Sequence, residues 1–299
     1  MKKYTFKEIK EFVSKPLFDE NIIINKDPNY PKISIVTPSY NQAEFLERTI
    51  LSVLNQNYPN LEYIIIDGGS TDGSVEIIKR YEKYLAYWVS EKDKGQSYAV
   101  NKGIDKISNG LIGWQNSDDI YLPGIFFHLA KLSQKYPKIE VFYGNIVRID
   151  KYDRIFKRQF CIRPNLFIYK NAGATMCNQS AFFKRSTIAE IGKLDEHLHY
   201  VMDYDFFLRM ILKKVSMKHN RELCGAIRHH SQSKGGNPNK QRWNKDEFKY
   251  IYNKYNMNRN RVFYKYIIAR ILRLLFSIYS NKLDVLREAV ERLKVHYKK

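Results

Sequence analysis

Leu111-Ile112-Gly113-Trp114-Gln115-Asn116-Ser117-Asp118-Asp119 decides the fold class of this chain. It reads as a short apolar strand that ends in two adjacent carboxylates. In an open α/β sheet, side chains just beyond the carboxyl ends of parallel strands face the crevice where ligands bind. Two acids at such a place repel each other unless a positive charge lies between them. A divalent cation on a nucleotide diphosphate meets that need, because Mg2+ is usually held by one or two carboxylates plus substrate phosphates.

Outward from this stretch the chain alternates strand and helix. Ile33, Ile35 and Val36 form a buried strand that Thr37-Pro38-Ser39-Tyr40-Asn41 breaks. Phe45, Leu46, Ile50, Leu51, Val53 and Leu54 then recur with helical spacing. Residues 61–67 are a second strand, continuously apolar near its end, as a strand covered on both faces should be. Gly68-Gly69-Ser70-Thr71-Asp72-Gly73 is a turn, with Ser70, Thr71 or Asp72 available to cap a helix over 74–84. A short strand at 86–89, a helix over 96–107 and the strand at 111–115 complete the series. This alternation predicts a parallel sheet with right-handed crossovers.

After Asp119 the pattern changes. A helix is expected over 123–136, strands at 139–143, 145–150 and 156–162, a short helix at 189–193 and a helix over 204–214. Residues 229–239 read as a polar loop. Three divisions follow: a leader over 1–31 with an amphipathic helix at 6–13, a main domain over 32–239, and a basic extension over 240–299. In the extension, residues 262–280 place Lys265, Arg273 and Ser277 on one helical face and large apolar residues mostly opposite. A last helix is expected over 282–297.

Composition bounds the rest. The 299 residues are 44% hydrophobic, enough for a sizeable core. Fifty-one Lys and Arg against 31 Asp and Glu give a net charge of +20, which serves solubility or else an anionic partner: nucleic acid, phospholipid or a phosphorylated substrate. The positive charge gathers after Arg209. Cys161, Cys177 and Cys224 are odd in number and lack metal spacing, as free thiols in a reducing compartment would be. The amino terminus lacks a signal-like apolar run, and no 18-residue charge-free apolar stretch predicts a transmembrane helix.

Four constellations carry chemistry. In Thr37-Pro38-Ser39-Tyr40-Asn41, Tyr40 suits stacking on a base, although a simple turn explains the residues equally. Asp67, at a strand end, can accept from a base N–H or a ribose hydroxyl; Asp72 is a helix cap in the plainer reading. Lys94-Gly95, ahead of a helix amino terminus, suits anionic phosphate. Asn116-Ser117-Asp118-Asp119 is the fourth.

Their order and spacing resemble family 2 glycosyltransferases with the GT-A fold, from about Pro31 to about Ser233, roughly two-thirds of the chain. The resemblance implies an α/β mixed sheet flanked by helices, with a C-terminal helical extension, and inverting transfer of a sugar from a nucleotide diphosphate donor, with a UDP-sugar preferred. Pro38, Ser39, Tyr40 and Asp67 match nucleoside-holding positions, and Lys94 and Gly95 fall in a segment that lines the nucleotide pocket. Asp118 and Asp119 match the end of a D-x-D-type motif for Mn2+ or Mg2+, with Asn116 in the place of its first acid. That substitution leaves open which carboxylate meets the metal. In Tyr200-Val201-Met202-Asp203-Tyr204-Asp205, Met202 stands where the family carries a glutamate. Asp203 is then the match for the general base, with Asp205 as runner-up on the acceptor side. Gln179 falls in a region that lines the acceptor side, as a sugar ligand or as a partner for buried backbone. His230 lies in a loop resembling the one that closes over the diphosphate, at metal or phosphate, or else as a structural or solvated histidine.

The resemblance also implies a glycan or lipid-linked acceptor, polysaccharide or glycolipid synthesis for the cell envelope, and a cytoplasmic location at the inner face of the membrane. The basic amphipathic extension suits an anionic bilayer, or else packs its apolar side on the main domain. A nucleotidyltransferase would need a glycine-rich start after the first strand, where Thr37-Pro38-Ser39-Tyr40 stands. A nucleic-acid partner is suggested by charge alone, without a recognition motif. Asn116 and Met202 leave room for a non-catalytic nucleotide-sugar-binding module.

Overall fold

The computed structural model describes residues 4–234, 240–257 and 263–281. The elements run α1 (Phe6–Ser14), α2 (Glu20–Ile24), β1 (Ile33–Ser39), α3 (Ala43–Leu54), β2 (Leu61–Asp67), α4 (Ser74–Tyr81), β3 (Tyr87–Ser90), α5 (Gln96–Lys106), β4 (Leu111–Trp114), β5 (Ile120–Tyr121) and α6 (Ile125–Lys135). They continue as β6 (Val141–Asp150), β7 (Ile155–Gln159), α7 (Leu166–Ala172), β8 (Ala181–Lys184), α8 (Arg185–Ile191), α9 (Met202–Leu212), β9 (Met217–His229), α10 (Lys240–Lys254) and α11 (Phe263–Asn281). A 3-10 turn, Asn178–Ser180, leads into β8.

The nine strands among the described residues join one mixed sheet in the order β3-β2-β1-β4-β8-β6-β9-β5, with β7 off this path and paired with β6. The first four strands of that order pair in parallel, β8 runs antiparallel to both β4 and β6, and β6 runs parallel to β9. The parallel half is covered on both faces. Ile64 and Ile66 of β2 enter one core while Leu61, Tyr63 and Ile65 enter the other, so the strand is apolar throughout. Gly103 lets α5 close on β1, since a Cβ there would lie 2.4 Å from Val36 Cγ1. Ser39 pairs with Asp67 at the ends of β1 and β2, and β4 lies on the other side of β1. The ends of three parallel strands therefore bring residues 38–41, 67–72 and 115–119 to one edge. This α/β mixed sheet is the fold expected from the sequence.

The second half differs in detail. β6 is one strand, not two, because Gly144 sits at a pairing irregularity and not at a break. β7 ends at Gln159, before Ile162. α8 begins at Arg185, ahead of the start expected at Ala189. α6 starts after Gly124, which takes a left-handed φ of 80° as its N-cap. Periodicity does not predict β5, β8, β9, α7 or α10. The amino-terminal segment packs on the sheet. Thr5 and Glu8 form a capping box. Ile9, Phe12 and Val13 then bury against Ile120, Leu122, Val147 and Leu223. The expected helix over 282–297 and residues 235–239 of the polar loop lie outside the described residues.

Candidate active site

The loops that follow β1 and β2 are held by their own side chains. Asp67 is fully buried and accepts from Gly69 N (3.1 Å), Ser70 N (2.8 Å), Ser70 Oγ (2.6 Å) and Ser90 Oγ (2.7 Å). Pro38 lies within β1, and Ser39 beside it is buried with an unpartnered hydroxyl. Tyr40 projects outward, 63% exposed. Asp72 accepts from Ser74 N at 3.1 Å, the cap expected of it, and from Ala43 N at 2.9 Å. Asp93 joins this group although no pattern in the sequence singles it out. Its carboxylate lies 3.1 Å from where a Gly68 Cβ would stand and accepts from Gly95 N at 2.7 Å. Burial raises the Asp93 carboxyl above its usual range, and Asp67 adds to the effect. Gly95, with φ of 108°, is the N-cap of α5. Lys94 turns its ammonium over the Tyr98 ring, 5.8 Å from the centroid.

The two acids of the diacid have different surroundings. Asp119 points into the protein. It accepts from Arg228 N (2.8 Å), Asn116 Nδ2 (3.1 Å) and Gln179 Nε2. Burial raises its carboxyl well above the ordinary value, and Asp118 beside it contributes. Asp118 keeps 20% of its side chain exposed, and its Oδ2 lies 3.0 Å from His230 Nε2. The His230 ring packs on Phe45 with centroids 4.5 Å apart. Thr49 of α3 fixes the intervening main chain by donating to Ser117 O at 2.9 Å and Asp119 O at 2.7 Å.

Asp203 lies in the first turn of α9 and accepts from Tyr204 N at 2.7 Å. Burial raises its carboxyl, against the opposing charge of Lys234. Lys234 Nζ donates to Gln96 Oε1 and to His199 O, both at 2.6 Å. Its charge interacts with Asp203 and with Asp118. Gln96 in turn donates to Asn116 Oδ1 at 2.8 Å. Lys234 is therefore tied through Gln96 to Asn116, two residues before Asp118, and through His199 O to the loop that leads into α9. The sequence points to its loop but not to this residue.

Two expected acceptor-side residues are placed elsewhere. Gln179 is buried beneath the diacid and holds Asp119, because Gly225 lets β9 and the 3-10 turn close together: a Cβ there would lie 2.6 Å from Gln179 O. Asp205 is fully buried, paired with Arg209 Nε at 2.9 Å and Tyr255 Oη at 2.7 Å. Its two oxygens tie α9 to the end of α10 and leave no face for an acceptor.

Among the described residues no group of three or more His, Cys, Asp or Glu side chains could hold a metal ion. Mg2+ and its relatives need less than that when phosphates supply further oxygens. Asp118, with His230 beside it, fits that smaller requirement, whereas the oxygens of Asp119 are taken by donors.

The model of glycosyl transferase family 2 matches residues 34–192. The chain belongs to that family. An uncharacterized glycosyltransferase of Mycobacterium tuberculosis is 34% identical over 187 residues, covering 61% of this chain and 70% of the relative. TuaG of Bacillus subtilis, a glycosyltransferase assigned by name to teichuronic acid biosynthesis, is 37% identical over 94 residues, 30% of this chain and 36% of its own. Among solved structures, S. aureus TarS 1-349 with UDP-GlcNAc aligns with a TM-score of 0.55 at 15% identity, over 68% of this chain and 60% of that one. The mannosyltransferase PcManGT of Pyrobaculum calidifontis, with GDP-Man and Mn2+, gives 0.55 at 16% identity over 96% and 81%. The chain spans 37% of the longer TarS structure. The family and the GT-A type of sheet agree with what the motifs implied, as does a transferase enzyme.

Proposed function

We propose that this family 2 enzyme transfers a sugar, with inversion, from a nucleoside diphosphate donor to an acceptor hydroxyl. The hydrogen-bond chain from Asn116 through Gln96 and Lys234 to His199 O, which links the loop of the diacid to the loop leading into α9, carries the reading. It joins the segments that carry Asp118 and Asp203 near the sheet edge where Ser39 and Asp67 end their strands.

In this reading the nucleoside lies against residues 38–40, Asp67 and Asp93, with Lys94 and Gly95 along its phosphates. TarS, a structural neighbour, holds UDP and UDP-GlcNAc, which supports a UDP-sugar donor here. Asp118 and His230 would hold Mn2+ or Mg2+, which neutralises charge on the diphosphate when bound. Lys234 contributes a fixed positive charge toward the same leaving group. Asp203 takes the proton of the acceptor hydroxyl as its oxygen bonds to the anomeric carbon. The bond from that carbon to the phosphate oxygen breaks, and the nucleoside diphosphate departs with its electron pair. A single displacement inverts the centre and needs no carboxylate nucleophile. The raised Asp203 carboxyl brings the base closer to neutral pH, where proton transfer is better matched.

A glycan or lipid-linked acceptor in polysaccharide or glycolipid synthesis is supported by TuaG and by the outward apolar face of α11, which suits the inner surface of an anionic membrane. No helix among the described residues is long and apolar enough to cross a bilayer.

The decisive experiment is Asp203→Asn. Turnover should fall by about 10²–10⁴-fold while UDP-sugar affinity by isothermal titration is unchanged. Turnover equal to wild type rejects the base assignment.

A further inference from the structure

We infer that Arg228 is a positioning residue that sets the aim of Asp118, and that the inference rests on Asp118 being the carboxylate that meets the divalent cation. Arg228 is the largest fully buried side chain among the described residues, its guanidinium wholly shielded. It touches the diacid twice. Its Nε donates to Asp118 O at 2.8 Å, and its backbone N donates to Asp119 Oδ1 at 2.8 Å. Two residues further on, His230 reaches the Asp118 carboxylate itself. The end of β9 thus grips Asp118 at main chain and side chain together, with Asp119 pinned between.

The other side of the guanidinium is engaged through Nη1 alone, Nη2 being buried without a hydrogen-bond partner. Nη1 lies 2.6 Å from Asp153 Oδ1 and donates to Asp150 O at 3.2 Å. Asp153 is held in turn by Arg48 Nη1 of α3 at 3.2 Å. The face of Arg228 lies 5.0 Å from the centroid of Phe45, the ring that carries His230. A core serving stability alone would do as well with an apolar side chain, since burying an ion pair seldom repays its desolvation. The planar fork of arginine is suited instead to holding a main-chain carbonyl at one edge and a carboxylate at the other in fixed relation. Removal of groups that orient metal ligands typically lowers metal affinity by about 10–100-fold.

Two variants test this on the full chain. Arg228→Lys keeps the charge and loses the fork. Arg228→Met combined with Asp153→Asn removes both charges, so no buried carboxylate is stranded. Mn2+ is titrated calorimetrically into each protein saturated with UDP, UDP binding is measured without metal, and folding is followed by circular dichroism. Both variants should bind Mn2+ about 10–100-fold more weakly than wild type, with metal-free UDP affinity and spectra unchanged. Folded variants that bind Mn2+ as wild type does overturn the inference. Loss of fold in both assigns Arg228 to the core and overturns it as well. If wild type itself binds no Mn2+ with UDP, the reading of Asp118 falls first, and that result is distinct from either.

Discussion

The carboxylate of Asp119 accepts three hydrogen bonds from segments far apart in sequence, while that of Asp118 is partly open and meets one imidazole. Asp119→Ala leaves buried donors of Asn116, Gln179 and Arg228 unanswered. At about 1–3 kcal/mol for each unsatisfied buried group, the variant should unfold at clearly lower urea, read by circular dichroism. Asp118→Ala strands no such set. Its urea midpoint should match wild type, while Mn2+-dependent UDP binding disappears from the calorimeter. Equal destabilisation of both variants would mean that the acids share one role. The diacid and its strand-end position are legible in the sequence. Which acid is free is not, because that choice is made by β9 and by the turn at 178–180, whose partners are settled only in three dimensions. The same holds for Gln179 and Asp205: a residue type at a motif position does not reveal which way the side chain faces. Asp93 escapes notice because an acid alternating with lysines in the loop Glu91-Lys92-Asp93-Lys94 carries no pattern of its own.

β9 illustrates what periodicity misses at the level of elements. Met217–His229 alternates poorly, carries Arg221 at a left-handed φ of 63°, and holds a central glycine. Its strand character comes from pairing with β6 and β5, a tertiary demand. The parallel half is legible because each strand there is a compact apolar run with a polar stop. β9 also carries His219, whose Nε2 lies 3.1 Å from Asn145 Oδ1 and whose ring is pushed down from 6.5 to about 4 by burial. Between those values the unfolded chain binds a proton that the folded chain refuses. Stability should therefore fall as pH drops from about 6.5 toward 4, by roughly 3 kcal/mol from this group alone. His219→Gln, which can still donate to Asn145, should flatten that part of the stability profile in urea titrations at stepped pH. An unchanged slope would show that other groups govern it.

At the scale of the whole molecule, α11 turns Ala269 and Arg273 toward the body, where Arg273 donates to Ala172 O at 3.0 Å. Its outer arc carries Ile267, Ile268, Ile271, Leu274, Leu275 and a Tyr279 that is 80% exposed. The two faces of this helix can be read from the sequence, but not that the apolar one looks outward. With a net charge of +20, the protein should float with vesicles containing anionic lipid and stay behind with neutral ones. Replacing Ile268, Ile271 and Leu275 by serine should abolish flotation without altering UDP affinity; unchanged flotation would assign that arc another purpose. The capped amino-terminal helix has a temporal side. Ile9, Phe12 and Val13 leave the ribosome before Leu223 and Ala226, against which they bury, with more than 200 residues made in between. That apolar stripe must stay unclaimed until β9 has been made, so arrest of synthesis before residue 223 would yield a nascent chain with a sticky, orphaned helix. Chaperone capture of such stalled chains is the cellular trace this geometry should leave.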